Sequence, residues 1–211
     1  MTVLKICIGE WNNASRDQRE LAVCRELGAD VKVLAKGDRT DRGRIEMVNT
    51  FEVHRFTTRP VRRFPTAINR ILSVFDWARY ARKLRPAVIS GHDIGGLLIG
   101  WLSVFFLFGK KRPRLVYDSH EFELGRNVDR SKAVTLCLGL LERFLIRRSV
   151  FTIVVNQSIA QELKRVHHMK TDPVVVRNIP DKWFVDDTVC ASMKKKLLEM
   201  QQLLIQLLLI I

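Results

Sequence analysis

Apolar, β-branched runs of three to six residues recur along the chain, and each breaks off into a polar cluster. Val3–Ile8 leads into Gly9-Glu10-Trp11-Asn12, and Val88–Ser90 into Gly91-His92-Asp93. Leu115–Tyr117 leads into Asp118-Ser119-His120-Glu121, and Phe151–Val155 into Asn156-Gln157-Ser158. Short buried-type runs separated by helical patterns read as parallel strands in βαβ units. In such a sheet, ligands bind at the carboxyl ends of the strands. The polar clusters are therefore expected to share one edge.

The intervening pattern predicts a helix over Ser15–Leu27, with Ser15 as N-cap, Gln18 at capping-box spacing and a stop at Gly28. Strand Asp30–Ala35, a charged loop Lys36–Arg44 and a third strand nearer the edge, Thr50–Phe56, follow. After the basic loop Arg59–Pro65 comes a long amphipathic helix, Thr66–Leu84. Its stripe Ile68, Ile71, Leu72, Phe75, Ala78 and Ala81 is expected to face the core. Strand Ala87–Ser90, an apolar helix, strand Arg114–Tyr117 and helix Lys132–Arg148 come next. Strand Phe151–Val155, a helix Ser158–Val166 capped by Ser158, and strand Val174–Arg177 complete the series. This alternation predicts an α/β fold with a doubly wound, mostly parallel sheet of six or seven strands and helices on both faces.

One segment tests for a membrane. Ile94–Gly109 carries no charge over 16 residues. A span needs about 20, and Gly95, Gly96 and Gly100 favour close packing, so the reading is a core helix. A helix dipping into a membrane is the alternative, with Lys110, Lys111 and Arg112 directly behind it.

Composition changes the picture in one respect. Hydrophobic and charged fractions are ordinary for a folded domain, but the net charge is +14. Residues 36–85 hold 13 Lys/Arg against 5 Asp/Glu, an excess of 8. Such a face attracts phosphates or anionic lipid. Nucleic acid is not expected, because the aromatic residues in that stretch fit a core better than a stacking platform. Cys7, Cys24, Cys137 and Cys190 are widely spaced and form no CxxC pair, so no metal is expected and the pattern suits a reducing, cytoplasmic setting. Cys7 and Cys137 are read as small buried hydrophobes. The chain closes on the apolar run Leu203–Ile211. That ending predicts a docking segment or a protein that continues.

Candidate chemistry gathers at the strand ends. Asp118-Ser119-His120-Glu121 packs three ionisable groups and a hydroxyl into four residues, which is costly unless they meet water, substrate or each other. His120 is the first candidate to touch ligand. His92 can move a proton near neutral pH, and Asp93 can orient a hydroxyl or cap the following helix. Asn12 lies in the loop after the first strand, where a GxGxxG pattern is absent, which argues against NAD or FAD. Asn156 begins a helix, while Arg177 and Asn178 end the last strand, placed to meet phosphate or sugar.

Taken together these segments resemble the amino-terminal, acceptor-side domain of a GT-B glycosyltransferase of the family 4 type. The resemblance runs from Val3 to Trp183. It is carried by Leu115–Glu123 (LVYDSHEFE), Leu141–Leu163 (LERFLIRRSVFTIVVNQSIAQEL) and Val174–Asp181 (VVVRNIPD). It implies a Rossmann-like domain over 1–183, followed by a linker helix and apolar tail over 184–211 that begin a second domain. It also implies transfer of a sugar from a nucleotide-sugar co-substrate with retained anomeric configuration, without a cofactor or metal. His120 matches the family's histidine near the transferred sugar, His92-Asp93 its preceding strand end, and Asn178 the asparagine after the last strand. The paired glycines after the first strand are missing, and so is the donor domain. The resemblance thus implies a half that is inactive alone. A lipid-linked or polymeric acceptor at the inner membrane face suits the basic stripe. Two alternatives stand beside this reading: a non-catalytic or split-enzyme subunit that docks onto a donor-binding partner chain, and a basic anion- or membrane-surface binder.

Overall fold

The computed structural model describes residues 1–9, 11, 15–38, 40–58, 60–61, 63–105, 112–125, 130–177 and 179. The chain divides between Arg177 and Asn178, and the fold below is that of the first unit. Its elements are β1 (Thr2–Cys7), α1 (Ser15–Glu26), β2 (Asp30–Lys36), β3 (Arg42–Val48), β4 (Phe51–Phe56), α2 (Thr66–Lys83), β5 (Val88–His92), α3 (Asp93–Phe105), β6 (Arg114–Ser119), α4 (Lys132–Ile146), β7 (Ser149–Val154), α5 (Gln157–His167) and β8 (Val174–Val175).

The strands form one sheet in the order β3-β4-β2-β1-β5-β6-β7-β8, which turns direction around β1. Every described pairing is parallel except β3 with β4. Strand alternation sorts the side chains of β1. Leu4 and Ile6 join a core with Trp77, Ala81, Leu97 and Leu145, which belong to α2, α3 and α4. Val3 and Cys7 join a second core with Leu21 of α1 and Val33 and Val53 of β2 and β4. The sheet is therefore covered on both faces, as a mainly parallel sheet requires.

Glycine lets α3 lie close to the sheet. A Cβ on Gly96 would sit 2.6 Å from the Ile6 carbonyl oxygen, and one on Gly91 would overlap the Leu97 backbone. No helix among the described residues is long and apolar enough to cross a membrane. The uncharged segment forms α3 as far as Phe105, with Ile94, Leu97, Ile99 and Val104 in the core.

Four sequence expectations need correction. The charged stretch read as a loop contributes β3, so eight strands form the sheet. As an edge strand, β3 buries no apolar face, and its residues alternate only between half-buried and exposed. The Ile68, Ile71, Leu72 and Phe75 stripe of α2 is exposed. Of the expected stripe only Ala78 and Ala81 are buried, together with Trp77, and Val74 and Tyr80 pack against the same core. Cys137 is exposed on α4. Finally, Asn156, not Ser158, caps α5: its Oδ1 accepts a hydrogen bond from the Ile159 amide at 2.8 Å.

Candidate functional site

Lys5 is the first unusual residue of the site. It occupies the middle of β1 and is 1% exposed. A buried ammonium is costly unless paired and hydrogen-bonded. In parallel register Lys5 faces Ser90 of β5. Its side chain reaches past that small residue to Asp118 on β6, donating to Oδ2. It also pairs with Asp17 Oδ1 at 3.0 Å and Glu20 Oε2 at 3.6 Å, both from the first turns of α1. Arg16 donates from Nη2 to the other oxygen of Asp118 and lies 3.3 Å from Glu20 through Nε. Asp17 and Asp118 are fully buried.

Two imidazoles rest on this ionic base. His92 ends β5 in register with Asp118, and His120 follows β6 directly. His92 Nδ1 is 2.9 Å from Asp17 Oδ2, and His120 Nε2 is 3.0 Å from Asp17 Oδ1 and 3.2 Å from Asp118 Oδ2. The rings stack with centroids 3.8 Å apart. Both side chains keep about a fifth of their surface in solvent (20% and 23%), so they form the rim and the carboxylates the floor. Burial raises the Asp17 carboxyl, but hydrogen bonds from His120 and His92 and the Lys5 ammonium outweigh it and hold Asp17 well below the usual carboxylate range. Beneath the site, burial and then the Asp17 charge push the Cys7 thiol up to about 11.

Asp93 joins the rim by a tight route. The chain passes from β5 into α3 without a loop, and Asp93 takes a left-handed conformation at φ 55°. A non-glycine residue there stores about 1–3 kcal/mol of strain. Its Oδ1 accepts the His120 amide at 3.1 Å, and its Oδ2 lies 3.4 Å from His92 Nε2. Strain is thus spent on fixing the backbone of one histidine beside the ring of the other. Asp17 orients both rings through one nitrogen each, His92 Nδ1 and His120 Nε2.

Donor atoms of Asp17, His92, Asp118 and His120 all lie within 4.8 Å of one another, a spacing that suits a divalent ion. The Lys5 ammonium and the Arg16 guanidinium engage both Asp118 oxygens and Asp17 Oδ1, while Asp17 Oδ2 faces His92 Nδ1.

Of the residues expected from sequence, the structure unites His92, Asp93, Asp118 and His120. Ser119 is buried next to them and donates to the Glu121 carbonyl at 2.9 Å, while Glu121 itself is exposed. Asn156 serves as a helix cap, and Arg177 is exposed beyond β8. Asn12 and Asn178 lie outside the described residues. Sequence reasoning missed Lys5 and Asp17. A lone charge inside an apolar strand was the available signal for Lys5. Asp17 had none, since its histidine partners are 75 and 103 residues away.

A doubly wound α/β unit with its ionisable residues gathered at the carboxyl edge of the central strands defines a Rossmann-like domain. Residues 16–179 match the family model described as a glycosyl transferase 4-like domain, and the chain belongs to that family. Solved structures agree on the fold. Sucrose-phosphate synthase from Thermosynechococcus elongatus superposes with a TM-score of 0.56 at 15% identity, covering 78% of this chain and 45% of its own. The catalytic domain of starch synthase IV from Arabidopsis thaliana, bound to ADP and acarbose, gives 0.52 at 16% identity, covering 83% and 51%. MurG from Acinetobacter baumannii gives 0.51 at 11%, covering 87% and 46%. The chain thus spans about half the length of these proteins. No curated protein sequence matches it.

Proposed function

We propose that this chain is the acceptor-side lobe of a retaining glycosyltransferase that moves a sugar from a nucleotide-sugar to an acceptor hydroxyl, and that it turns over only with a donor-binding lobe opposite it. The observation that supports this most is the stacked His92–His120 pair, held by Asp17, Asp118 and Asp93 at the strand ends. It offers a hydroxyl group a proton acceptor of fixed orientation, with the Lys5 and Arg16 charges buried behind it. His120 is proposed to touch the transferred sugar, His92 and Asp93 to complete the acceptor wall, and Ser119, Glu121 and Arg177 to border it, with Asn12, Asn156 and Asn178 as further contacts. An isolated lobe leaves the donor phosphates unbound and the reacting centre wet, so positioning and electrostatic stabilisation are both lost. The second lobe could come from further sequence or from a partner chain. A lipid-linked or polymeric acceptor at a membrane surface fits the basic face.

The test is ligand mapping by NMR on the 211-residue chain. Candidate acceptor sugars should shift the His92 and His120 signals, and nucleotide-sugars should leave them unmoved. Tight nucleotide-sugar binding by this chain would overturn the acceptor-side assignment, and robust transfer without a partner would overturn the claim of inactivity.

A further inference from the structure

The outward stripe of α2 stays exposed to solvent. Val61, Phe64, Ile68, Ile71, Leu72 and Phe75 are each 38–58% exposed. At about 100° per residue, the four helical members lie roughly 130° around α2 from the buried set Val74, Trp77, Ala78 and Ala81. They face away from the sheet. The same stripe continues toward the helix end as Arg79, Arg82 and Lys83, all exposed. The exposed face is thus apolar in its first half and basic in its second.

The apolar half is held rigid. Asn69 clamps the preceding turn onto the helix. Its Oδ1 accepts the Val61 amide at 2.8 Å, and its Nδ2 donates to the carbonyls of Val61 at 3.1 Å and Phe64 at 2.9 Å. The Phe64 amide closes the turn on the Val61 carbonyl at 3.0 Å. Val61 and Phe64 are therefore fixed next to Ile68. Residues 57–75 include Arg59, Arg62, Arg63 and Arg70 and no acidic residue. Toward the other end, Arg42, Arg79 and Lys83 line a cleft of about 250 Å³ together with Asp76, which pairs with Arg42 at 3.7 Å.

Apolar side chains that share an exposed helix face with Arg79, Arg82 and Lys83, with Arg63 exposed in the preceding turn, match an anionic bilayer, with hydrocarbon for the first and phosphate headgroups for the second. Orientation follows from topology. β4 is parallel to the central strands, so α2 starts at the same sheet edge that carries His92 and His120. We infer that the Val61–Phe75 surface docks this protein on a membrane rich in anionic lipid, with the histidine edge toward the lipid surface. This deepens the reading of a membrane-surface acceptor and rests on it for its meaning, but the docking itself needs no sugar transfer.

Co-sedimentation of the full chain with vesicles of phosphatidylcholine alone, or of phosphatidylcholine with phosphatidylglycerol, tests it. The chain should pellet with the anionic vesicles, and binding should weaken as salt rises. Ile71→Asp/Phe75→Asp, at exposed positions, should cut the partition coefficient by about tenfold or more with an unchanged circular-dichroism spectrum. Arg82→Gln/Lys83→Gln should weaken binding and flatten its salt dependence. Equal binding to neutral vesicles, as insertion of Leu203–Ile211 would give, overturns the inference. So does unchanged binding of the Asp variant, or a variant that merely loses self-association on a sizing column. Loss of transfer activity with intact vesicle binding would count against the enzymatic reading alone.

Discussion

Replacing Lys5 by Met tests the site's foundation. Met keeps the apolar length of the side chain, so no large cavity opens, and only the charge is removed. The ammonium sits 3.0 Å from Asp17, 3.6 Å from Glu20 and in direct contact with Asp118. One such pair at 3 Å in an effective dielectric of 20 amounts to about 5.5 kcal/mol of gross attraction. Breaking a buried pair by removing one partner costs about 3–5 kcal/mol. Arg16 stays on Asp118, so the lower end, about 3 kcal/mol, is expected. For a chain of this size that lowers the melting temperature by roughly 6–12 °C. The pH dependence adds a second readout. Asp17 is held below its ordinary range in the folded state, so the stability it carries is present above the unfolded carboxylate value near 4 and lost as pH falls through the folded one. Without Lys5 one of the causes holding it down is gone, so its carboxyl rises, while the larger hydrogen bonds from His120 and His92 remain. The penalty is then full at pH 7 and shrinks at acid pH, because the carboxylate takes a proton at a higher pH than in the parent chain. Urea unfolding followed by circular dichroism, at pH 7 and at acid pH, measures both effects. Adding Asp17→Asn to Lys5→Met should cost less than the sum of the two single changes by about 1 kcal/mol or more. A loss under about 1 kcal/mol with no pH dependence would refute the buried network, because it would mean that water solvates the Lys5 ammonium.

Three more outcomes follow from other buried groups. Glu142 is fully buried on α4, accepting the Tyr117 hydroxyl at 2.6 Å and facing His167 Nε2 at 2.9 Å. Glu142→Ala strands both partners and should cost about 3 kcal/mol or more in urea titrations, whereas Tyr117→Phe should cost about 1 kcal/mol. Burial, then the Glu142 charge, hold the Tyr117 phenol well above its ordinary range, so its absorbance should not show phenolate at pH 10. Cys7, pushed up to about 11 and buried, should resist iodoacetamide at pH 8 in the folded protein, while exposed Cys137 reacts. Mass spectrometry of the labelled peptides separates them, and equal labelling would contradict the burial of β1.

Much of the fold was legible because fully buried strands advertise themselves. β1, β5, β6 and β7 each fell where an apolar run predicted them, as did the helices between them. β3 did not, because an edge strand in this sheet needs no apolar face, and its Arg-Gly-Arg start reads as loop. Gly43 explains part of that disguise. It takes φ 99° at a register shift between Arg42 and Arg44 and packs under Tyr80, so the strand begins at an irregularity. The outward face of α2 misled for a different reason. Periodicity reports that a stripe exists and is silent on what covers it. At the site, position alone revealed His92, Asp93, Asp118 and His120, since each ends a predicted strand. The carboxylate that unites the two histidines belongs to a helix far upstream, and pairing over such distances leaves no local trace.

The ionic floor also dictates when this protein can become competent. Lys5 and Arg16 meet Asp118 across 113 and 102 residues of chain. A nascent polypeptide that has emerged only as far as β5 holds the ammonium and guanidinium with Asp17 and Glu20 but without Asp118, one of their three carboxylate partners, which is still inside the ribosome. Long-range closure is the slow part of building such sheets, and here the last central strand carries the missing anion. Assembly of the sheet and readiness of the histidines are thus one event, so a half-made chain cannot present a half-working surface.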